Sequence, residues 1–587
     1  MIKKILLIIP SARQNEPSSF TVAIPTIAAM LRSHDFEVEI MDIEGYKKEF
    51  DDDYSIELVI QSSEFDAVGI GGMITSYKQV KRLIQAIRAN HKNKPIILGG
   101  GLASSIPEDA INILGADYVV YGEGDLSMLN LLHSLNGIVK LKDVDGIYYK
   151  KGEKIIKNKP FTPIKDLDSL PRIAYDLMPI HKYINQFDNF FGFKKSITIP
   201  TSRGCVGQCS YCFRIFGKCK YTFNSAKWIL DEVQYLQKKY GINCFFFSDE
   251  DFMLVKERVE KFCSGIRVRK MNIKWVCSSR VKNIDKPLCR LMKKCGCVHI
   301  SLGLESGSQT ILDNMKKGAT VKDNENALNI LRKIKLSHGG TMMFGHPGEN
   351  DETLNETIAF CKRMNLDRQF FYTTPYPGTD IYNELVKAGR IKDKEVYYEL
   401  LGDAKDFVIN LTDWTDDELK HRKGWLQEQI KISFLKALVL RIKHKGFAMF
   451  GPQILYTIHG VLGDERCECG RTLPLISHIF GRQSDIFTLP DKSLVHGEFF
   501  THLFYDNSDV IQFRLTQLDL DHFMLELVVG QNFMKRHEEQ IISKLKKITK
   551  EQVEIEVIYK KEIKPLSSGK SCFTRSLVKI GGRKDEQ

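Results

Sequence analysis

The alternation of short apolar runs with amphipathic segments constrains the fold of this chain more than any other feature. Helix-like segments, such as TVAIPTIAAMLRSH and SYKQVKRLIQAIRAN, separate the apolar runs of the first 140 residues. These runs are KKILLIIP, EVEIMDI, DAVGIGG, PIILGGG and ADYVVYGEG. Uninterrupted apolar strands between helices are typical of a parallel sheet that is covered on both faces. The pattern therefore predicts an α/β protein with a Rossmann-like domain at residues 1–140.

A second alternating run predicts a second sheet beyond a linker. Residues 141–195 contain few periodic segments, and KNKPFTPIKDLDSLPRIAYDLMP holds four prolines, so we interpret this part as a linker. Six further strand-like runs follow: SITIPTS, CFFFSDE, KWVCSSR, VHISLGLE, GTMMFG and QFFYTTP. Six βα units predict a partial (β/α)6 TIM-type barrel at residues 196–385, with functional groups at the ends of its strands.

The remaining residues change character twice. After residue 385 the pattern becomes helical, and we assign a helical extension to residues 386–460. Hairpin-like strands, two longer strands, a helix and a final strand follow, in SDIFTLPDKSLVHG, QFRLTQLD, HFMLELVV, EEQIISKLKKI and VEIEVIYKKEIK. This order predicts a small α+β domain at residues 461–587.

Length, charge and cysteine content exclude several classes of protein. A chain of 587 residues is too long for one core and predicts several domains. Fourteen cysteines do not fit a disulfide framework here, because the opening MIKKILLIIP reads as a first buried strand and not as a secretory leader. No stretch approaches a membrane span, and the net charge of +12 is spread along the chain. We therefore expect a cytoplasmic protein with no transmembrane segment and no nucleic-acid partner.

The stretch CVGQCSYC places three cysteines directly after the first barrel strand, in the arrangement C-x3-C-x2-C. Three thiolates neither complete a tetrahedral zinc site nor ligate all four irons of a cubane cluster. Zinc with Cys219 as a fourth ligand, or scattered buried thiols, are the alternatives, but zinc sites favour cysteine pairs with a distant partner pair. A [4Fe–4S] cluster that is held by three cysteines leaves one iron open to an external ligand. We predict this cluster at Cys205, Cys209 and Cys212.

GCVGQCSYC behind the strand SITIPTS resembles the signature of the radical S-adenosylmethionine superfamily. The resemblance implies that S-adenosylmethionine chelates the open iron and is cleaved reductively to a 5′-deoxyadenosyl radical. It places Tyr211 against the adenine and puts Asp249 and Glu250, in FFFSDEDF, at the methionine amino group. It also implies contacts to the carboxylate and ribose from Arg280 in WVCSSR and from Glu305 and Ser306 in GLESGS.

Other parts of the sequence resemble one class within that superfamily. GHPGE (345–349) and PYPGT (375–379) resemble the subgroup that includes the anaerobic magnesium-protoporphyrin ester cyclase. VGIGGMITSY, PIILGGG and ADYVVYGEGD resemble the cobalamin-binding domain that precedes the barrel in this class. The candidate contacts are glycines at strand ends, where open α/β sheets bind ligands: Gly71, Gly72, Gly99 and Gly100. The D-x-H-x-x-G loop of cobalamin mutases is missing, since SARQNEPSSF stands after the first strand, so a bound cobalamin would have its base displaced without a replacing histidine.

In the last part of the chain, CECGRTLPLISHIFGRQSD, HGEFFTHLFYD and SSGKSCFTRS resemble the small carboxy-terminal domain of phenylacetate–CoA ligase-like, adenylate-forming enzymes. The resemblance implies a hinge at Arg482 and Asp485 and a lysine, Lys570, that reaches the adenylate. The large adenylation domain is missing, so three alternatives stay open: recognition of an acyl carrier or acyl-CoA, complementation of a separate adenylating protein, and a relic. Cys467 and Cys469 lack a second cysteine pair and are interpreted as packed or turn thiols.

Together these resemblances imply a cobalamin-dependent radical S-adenosylmethionine enzyme that methylates or oxidatively cyclises an unknown organic substrate. The implied cofactors are the [4Fe–4S] cluster, S-adenosylmethionine and cobalamin. The implied partners are a small-molecule or acyl-thioester substrate and an electron donor of the flavodoxin or ferredoxin type. Two alternatives come from other classes: a component of an adenylate-forming acyl or aryl ligase system, and a sensor that binds cobalamin or a cluster without turnover.

Overall fold

The computed structural model describes most of the first 431 residues and separate stretches of the rest. The described residues are 1–11, 20–46, 59–184, 195–217, 220–366, 369–402, 404–431, 462–466, 474–476, 486–491, 494–496, 509–530, 533–549, 553–563 and 574–576. The chain divides into two compact units, Met1–Gly446 and Phe447–Gln587. Among the described residues, no helix is long and apolar enough to cross a bilayer. The finer domain boundaries given above remain predictions.

The first unit opens with a sheet that has an apolar core on each face. Seven strands build this sheet: β1 (Lys4–Ile9), β2 (Glu37–Asp42), β3 (Ala67–Gly71), β4 (Ile96–Gly99), β5 (Tyr118–Val120), β6 (Ile147–Lys151) and β7 (Lys154–Lys157). Their order is β2-β1-β3-β4-β5-β6-β7, and the first five strands are parallel. Side chains alternate along β1, so that Ile5 and Leu7 enter one core whereas Leu6 and Ile8 enter the other.

Helices connect these strands, as the alternating pattern predicts. They are α1 (Ala23–Arg32), α2 (Tyr77–Asn90), α3 (Gly100–Ser105), α4 (Pro107–Asn112) and α5 (Gly124–Leu135). Along α2, residues such as Val80, Ile84 and Ile87 recur at helical spacing and are buried, while its charged residues lie toward solvent. The parallel, helix-covered sheet confirms the α/β fold predicted for the start of the chain.

The antiparallel hairpin β6–β7 differs from the sequence analysis, which assigned residues 141–195 to a linker. Tyr149 pairs with Tyr118 of β5, and both Tyr148 and Tyr149 are buried, so the hairpin extends the first sheet. Gly152 turns the chain with a φ of 61°, in the left-handed region that favours glycine. The two strands are short and rich in lysine, and a proline-rich stretch follows, so their alternation was overlooked.

The second sheet is a half-barrel of six parallel strands. The strands are β8 (Ser196–Ile199), β11 (Cys244–Phe247), β12 (Lys274–Ser279), β13 (Cys297–Glu305), β14 (Ser337–Phe344) and β15 (Phe370–Tyr372), in the order β15-β14-β13-β12-β11-β8. A short antiparallel hairpin, β9 (Ser202–Cys205) and β10 (Lys220–Phe223), follows β8. All six strands coincide with predicted strands, which confirms the partial barrel.

Helices cover the outside of the half-barrel. A single-turn helix, α6 (Ile180–Tyr183), precedes it, and the connecting helices are α7 (Ala226–Tyr240), α8 (Lys256–Val268), α9 (Lys286–Lys294), α10 (Gln309–Asn314), α11 (Val321–Lys333) and α12 (Asp351–Arg363). Capping boxes at Thr320 and Asn350 fix the starts of α11 and α12, because the side chain of each residue satisfies an amide that the helix leaves free.

The segment after the half-barrel returns to the first sheet. It contains α13 (Asp380–Lys387), α14 (Lys394–Leu400) and α15 (Asp416–Ile430). Tyr398 donates through Oη to Oδ2 of Asp109 at 2.6 Å, and Nζ of Lys81 lies 2.8 Å from Oε1 of Glu395. Apolar residues of α13 and α14 belong to the same core cluster as one face of the first sheet. The first sheet and this segment therefore share a core.

The second unit contains a four-stranded sheet and one long helix. Its elements are β16 (Leu462–Arg466), β17 (Pro474–Ile476), β18 (Ile486–Thr488), β19 (Leu494–His496), β20 (Val510–Gln517), β21 (His522–Val529), α16 (Lys535–Ile548), β22 (Glu554–Tyr559) and β23 (Thr574–Ser576). The sheet order is β22-β21-β20-β23, and Phe523, Leu525 and Leu527 share a core with Leu545 of α16. The predicted site residues Arg482, Asp485 and Lys570, and the cysteines Cys467 and Cys469, lie outside the described residues.

Candidate active site

The cysteine loop begins at the end of the short hairpin β9–β10. Cys205 closes β9, where it pairs with Lys220, and Cys209 and Cys212 follow in an irregular segment. Cys209 is buried, whereas Cys205 and Cys212 are half-buried, and all three are free thiols. Since the hairpin follows β8, the loop lies at the carboxyl ends of the half-barrel strands, where α/β barrels carry their functional groups.

Glycine at position 207 lets this loop close against Arg280. A Cβ atom there would lie 2.3 Å from Nη1 of Arg280 and 3.4 Å from Sγ of Cys205. The Gly207 amide donates to Sγ of Cys205 at 3.3 Å. Nη1 of Arg214 donates to the carbonyl oxygens of Gly207 and Cys209 at 3.0 and 3.3 Å. Two guanidinium groups therefore hold the loop, which restricts the positions of its sulfurs.

The electrostatics of the loop suit a metal cluster. Burial raises the pKa of the Cys212 thiol to about 12, and Glu250 and the neighbouring thiols add to the effect. Burial opposes the charge of Arg280, but Cys209 and Cys205 outweigh it and raise the pKa of the guanidinium. A bound metal reverses such a thiol shift, because it deprotonates the sulfur that coordinates it. Three soft sulfur donors beside a cation fit the cluster predicted from the sequence.

The zinc alternative requires sulfur ligands at about 2.3 Å from one point. Within the part of the chain that the structure describes, no three His, Cys, Asp or Glu side chains are grouped closely enough to hold a single metal ion. Cys219, the fourth ligand of that alternative, lies outside the described residues.

Arg280 follows β12 and is fixed by a buried carboxylate that sequence analysis missed. Asp251 accepts hydrogen bonds from Oγ of Ser279 at 3.0 Å, from the Arg280 amide at 3.3 Å and from Nδ2 of Asn283 at 2.6 Å. The side chain of Arg280 then extends to the carbonyl oxygen of Lys317, to which Nη2 donates. Asp251 thus directs the guanidinium from the strand end toward the cysteine loop.

Glu305 and Lys317 form a buried ion pair beside the cysteine loop. Nζ of Lys317 lies 2.7 Å from Oε1 of Glu305 and 3.4 Å from Oη of Tyr211. Burial opposes the charge of the ammonium, but Glu305 and Cys209 outweigh it and raise the pKa of Lys317. A side chain at Gly303 would collide with both charged groups, at 2.4 and 2.7 Å. Glycine on β13 therefore makes room for the pair.

The backbone of Glu305 is strained. Its φ is 63°, which a residue with a side chain rarely adopts and which costs about 1–3 kcal/mol. At this residue, at the end of β13, the carboxylate contacts Lys317. Strained backbone of this kind is concentrated at functional sites, where the surrounding structure maintains it.

The adjacent carboxylates of Asp249 and Glu250 differ in their surroundings: Asp249 is buried within the protein, whereas Glu250 is exposed. Oδ1 of Asp249 accepts from the Thr201 amide and Oδ2 accepts from the Thr201 hydroxyl, both at 2.6 Å, and Nη2 of Arg258 lies 2.9 Å from Oδ2. Glu250 is exposed and lies near Cys212, and partial desolvation together with Asp249 raises its pKa above the usual value. Of the two carboxylates, Glu250 is the one available to a ligand.

Ser306 lies outside this group of side chains. Its hydroxyl contacts Oγ1 of Thr357 on α12 at 3.1 Å and accepts from the Ser308 amide at 3.1 Å. The structure therefore brings Tyr211, Arg280, Glu250 and Glu305 to the cysteine loop, while Ser306 and Asp249 are engaged within the protein. The role of each residue toward a ligand remains a prediction.

The strand ends of the first sheet are built from closely packed backbone. A Cβ atom on Gly100, whose φ is 77°, would lie 2.8 Å from the carbonyl oxygen of Gly72, which accepts from the Leu102 amide at 2.9 Å. A Cβ atom on Gly71 would lie 2.6 Å from the Ile24 side chain. Gly99 has space, since its nearest neighbour would be 3.9 Å away. These glycines bring backbone close together at this edge, which leaves room for a large flat ligand.

The GHPGE segment follows β14 and buries two titratable groups. Oε2 of Glu349 accepts from the Gly345 amide, and burial raises the pKa of this carboxyl to about 7. Burial lowers the pKa of His346 to about 4, and its Nε2 makes no hydrogen bond to a described residue. His346 is therefore uncharged at neutral pH, whereas Glu349 changes its charge close to neutral pH.

Sequence analysis missed the residues that support the predicted site. Asp251, Arg258 and Lys317 each hold a predicted residue in place through a buried contact. DED at positions 249–251 and KKG at positions 316–318 are the only local signals, and neither identifies the partner, because the loops decide which side chains meet.

Three family models match consecutive parts of the chain. A B12 binding domain matches residues 16–132, the radical SAM superfamily matches residues 199–361, and the CapK C-terminal domain matches residues 487–576. The first match spans β2 to β5 of the first sheet, and the second spans the cysteine loop and β11 to β14 of the half-barrel. The third covers most of the described part of the second unit.

Several known proteins are similar to this chain. An uncharacterized methyltransferase of Pyrococcus horikoshii is 30% identical over 65% of this chain and 83% of its own length. The anaerobic magnesium-protoporphyrin IX monomethyl ester cyclase of Rubrivivax gelatinosus is 28% identical over 57% of this chain, which spans 60% of that cyclase. The solved radical S-adenosylmethionine methyltransferase TsrM of Kitasatospora setae, with cobalamin and a [4Fe–4S] cluster bound, aligns with a TM-score of 0.55 at 16% identity, over 66% of this chain and 75% of that one.

Proposed function

The chain belongs to the radical S-adenosylmethionine superfamily, in the class with a B12-binding domain, and from this we propose how its residues divide the work. Cys205, Cys209 and Cys212 ligate a [4Fe–4S] cluster. The glycine edge of the first sheet holds cobalamin. The enzyme uses S-adenosylmethionine to methylate or oxidatively cyclise an organic substrate.

One observation carries this proposal. Three free thiols lie on a loop that is braced by Arg214 and Arg280, at the same strand ends as an accessible carboxylate and a buried Lys317–Glu305 pair. Charged groups of both signs suit the amino and carboxylate ends of the methionine part of S-adenosylmethionine. The cluster supplies the electron for reductive cleavage of that ligand, and cobalamin supplies a methyl carrier.

The side chains of the site have separate roles in this proposal. Glu250 accepts hydrogen bonds from the amino group of the methionine part, and Arg280 and Lys317 face the carboxylate of that part. Glu305 reaches the ribose hydroxyls, and Tyr211 lies along the adenine. Asp249 and Ser306, whose polar atoms are engaged within the protein, act as positioning residues for the strand ends on which the ligand contacts lie.

The experiment is anaerobic reconstitution of the full chain, followed by iron, sulfide and corrinoid analysis. Incubation with dithionite and S-adenosylmethionine should then release 5′-deoxyadenosine. Cys209→Ala should abolish this release and leave corrinoid binding intact, because the glycine edge does not depend on the cluster. Cys361→Ala, which removes a buried thiol of α12, is the matched control and should retain both activities. Cleavage that survives in Cys209→Ala would refute the assignment.

Similarity to the CapK C-terminal domain supports a second role for the far end of the chain. In this proposal the second unit recognises an acyl thioester or aromatic acid and thereby indicates the substrate. ATP–pyrophosphate exchange, measured with the full chain alone and with aromatic acids added, tests whether it takes part in adenylation. We expect no exchange by the chain alone, since its first unit consists of the two sheets described above.

The proposed cellular setting follows from the same chemistry. An electron donor of the flavodoxin or ferredoxin type reduces the cluster. The ten described cysteines are all free, which supports a reducing, cytoplasmic compartment. Replacement of dithionite by a reduced flavodoxin should sustain 5′-deoxyadenosine release, and failure of both flavodoxin and ferredoxin would exclude this type of donor.

A further inference from the structure

A buried ion pair joins the cysteine loop to the first sheet. Arg203 lies on β9, two residues before Cys205, and its guanidinium makes a bidentate contact with Asp125. Nη1 lies 2.7 Å from Oδ2 and Nη2 lies 3.1 Å from Oδ1. Glu123 is a second carboxylate, with Oε2 at 3.8 Å from Nη1 of Arg203. We call these three residues the Arg203 clamp.

The clamp is removed from solvent. Its side chains are 19%, 5% and 4% exposed for Arg203, Asp125 and Glu123. Burial opposes the charge of Arg203, but Asp125 outweighs it and raises the pKa of the guanidinium. A buried ion pair of this kind adds little net stability over apolar residues of the same size, whereas it enforces one geometry. The main effect of the Arg203 clamp is therefore to fix the relative positions of β9 and α5.

The two ends of the clamp lie at the two proposed cofactor edges. Asp125 is in the first turn of α5, which starts at the carboxyl end of β5 beside the glycine edge of the first sheet. A carboxylate in the first turn of a helix is also stabilised by the helix dipole. Arg203 is on the strand that delivers Cys205. A shift of this pair would move the cysteine loop relative to the glycine edge.

A second contact holds the other flank of the cysteine loop. A Cβ atom on Gly378, in the PYPGT segment, would lie 2.6 Å from the ring of Phe213 and 3.7 Å from Cα of Ser105. Phe213 follows Cys212 directly, and Ser105 ends α3 of the first sheet. The loop is therefore fixed to the first sheet before its first cysteine and after its last one.

We propose that Arg203 and Asp125 are positioning residues that set the distance between the cluster and the cobalamin. The proposal rests on the proposed function, since it takes the cysteine loop and the glycine edge as the two cofactor sites. In this proposal the clamp acts through the elements that carry the two sites. It acts through Cys205 on one side and through the start of α5 on the other, and Glu123 holds the guanidinium between two carboxylates.

The test measures that distance and does not depend on turnover. The full chain is reconstituted with the cluster and hydroxocobalamin, then reduced so that the cluster and cobalt(II) each carry an unpaired electron. Pulsed EPR then reports the dipolar coupling between the two spins. We expect a resolved coupling in the wild type and its loss or shift in Asp125→Asn and Arg203→Lys, at unchanged iron and corrinoid content. The exchanged pair Asp125→Arg with Arg203→Asp should recover part of the coupling.

The matched control is Asp351→Asn, which breaks another bidentate pair. Nε and Nη2 of Arg422 contact Asp351 at 2.7 and 3.1 Å on the exposed face of α12, where the Asp351 side chain is 67% exposed. Its coupling should equal that of the wild type. Unchanged coupling in both clamp variants overturns the proposal. Loss of cluster, corrinoid and native fold together in every clamp variant also overturns it, because the pair is then only a folding contact. A wild type without cluster or corrinoid refutes the proposed function itself.

Discussion

The carboxyl ends of the two parallel sheets are built in opposite ways. The edge of the first sheet consists of glycines whose backbones touch, with Gly100 against Gly72 and Gly71 against Ile24. The edge of the half-barrel consists of charged side chains, and most of these are already paired inside the protein. The edge of the first sheet therefore offers a ligand mainly backbone and apolar contacts, whereas the edge of the half-barrel offers charged groups in fixed positions.

This difference matches the ligands proposed for each edge. A corrin ring is large and flat, so it needs space and backbone contacts more than ion pairs. S-adenosylmethionine carries a sulfonium, an amino group and a carboxylate, so a site for it needs charges held in position. Substitutions at the first edge should therefore act through sterics, and those at the second through unpaired charge.

The largest effect is expected where a buried charge of the half-barrel edge loses its partner. Arg258→Met leaves the Asp249 carboxylate buried and uncompensated, which should lower the free energy of unfolding by about 3–5 kcal/mol. The measurement is urea denaturation of the full chain, followed by tryptophan fluorescence, to which the buried Trp275 of β12 contributes. Adding Asp249→Asn should restore part of the loss.

Lys227→Met is the control for that comparison. Lys227 pairs with Asp231 on the surface of α7, where its side chain is 82% exposed. Loss of such a pair should cost less than about 1 kcal/mol. Equal destabilisation by the two variants would contradict the claim that burial makes the half-barrel charges decisive.

A pH-dependent stability should come from Glu349 at the same edge. Its native pKa of about 7 exceeds the ordinary value of 4.5, so the native state binds the proton more tightly than the unfolded state does. The contribution of Glu349 to stability is then fully present below pH 4.5 and is lost as the pH rises through 7, by about 3 kcal/mol in total at 1.36 kcal/mol per pKa unit. Glu349→Gln should remove this dependence of the free energy of unfolding on pH, measured by denaturation curves between about pH 5 and 8.

Glu352→Gln is the reference for the pH experiment. Glu352 lies three residues further along and is exposed. Its substitution should leave the slope unchanged. A slope that persists in Glu349→Gln would show that other groups cause it.

At the glycine edge of the first sheet, added side-chain volume should weaken cobalamin binding. Gly100→Ala forces a side chain into left-handed backbone and against the Gly72 carbonyl, at a combined cost of at least about 2 kcal/mol. Hydroxocobalamin affinity, measured by absorbance titration, should fall while the iron content stays constant. Gly137→Ala has the same type of backbone, with a φ of 80°, but nothing within 4 Å, so it should leave the affinity unchanged.

The smallest effect on ligand binding is expected from Lys317→Met, which also leaves the buried Glu305 carboxylate unpaired and should lower the free energy of unfolding as Arg258→Met does. The change removes an ammonium from the proposed ligand site, and S-adenosylmethionine affinity should fall by about tenfold, or about 1.4 kcal/mol. Equilibrium binding to the reconstituted protein measures it. Lys316→Met removes an exposed neighbouring charge that lies 3.8 Å from Asp380 and should change the affinity little. An identical loss in both variants would indicate a general charge effect.

The strands and the cysteine loop could be predicted from the sequence because their signals are local. Each half-barrel strand is a short apolar run between helices, and C-x3-C-x2-C is itself a contiguous pattern. The hairpin at Tyr148 and Tyr149 was missed because two short, lysine-rich strands give a weak alternation beside four prolines.

The partners within the site could not be predicted from the sequence. Asp249 and Arg258 are nine residues apart and meet only because α8 folds back on the end of β11. Arg203 and Asp125 are 78 residues apart, on the hairpin strand β9 and on helix α5. Nothing in the letters DED distinguishes a carboxylate that faces a ligand from one that supports the loop, since only the tertiary contacts separate Glu250 from its two neighbours.

The shared core of the first sheet and the segment after the half-barrel limits how this architecture can be recombined. Tyr398 and Tyr382 lie at the heart of that core, and Asp109 is bonded to Tyr398. A chimaera that exchanged only residues 1–140 between relatives would change one side of this core and not the other. The apolar side chains of the first sheet and of the segment after the half-barrel would then no longer pack together. A chimaera that replaces the corrinoid-binding domain would therefore have to replace residues 380–411 from the same relative as well.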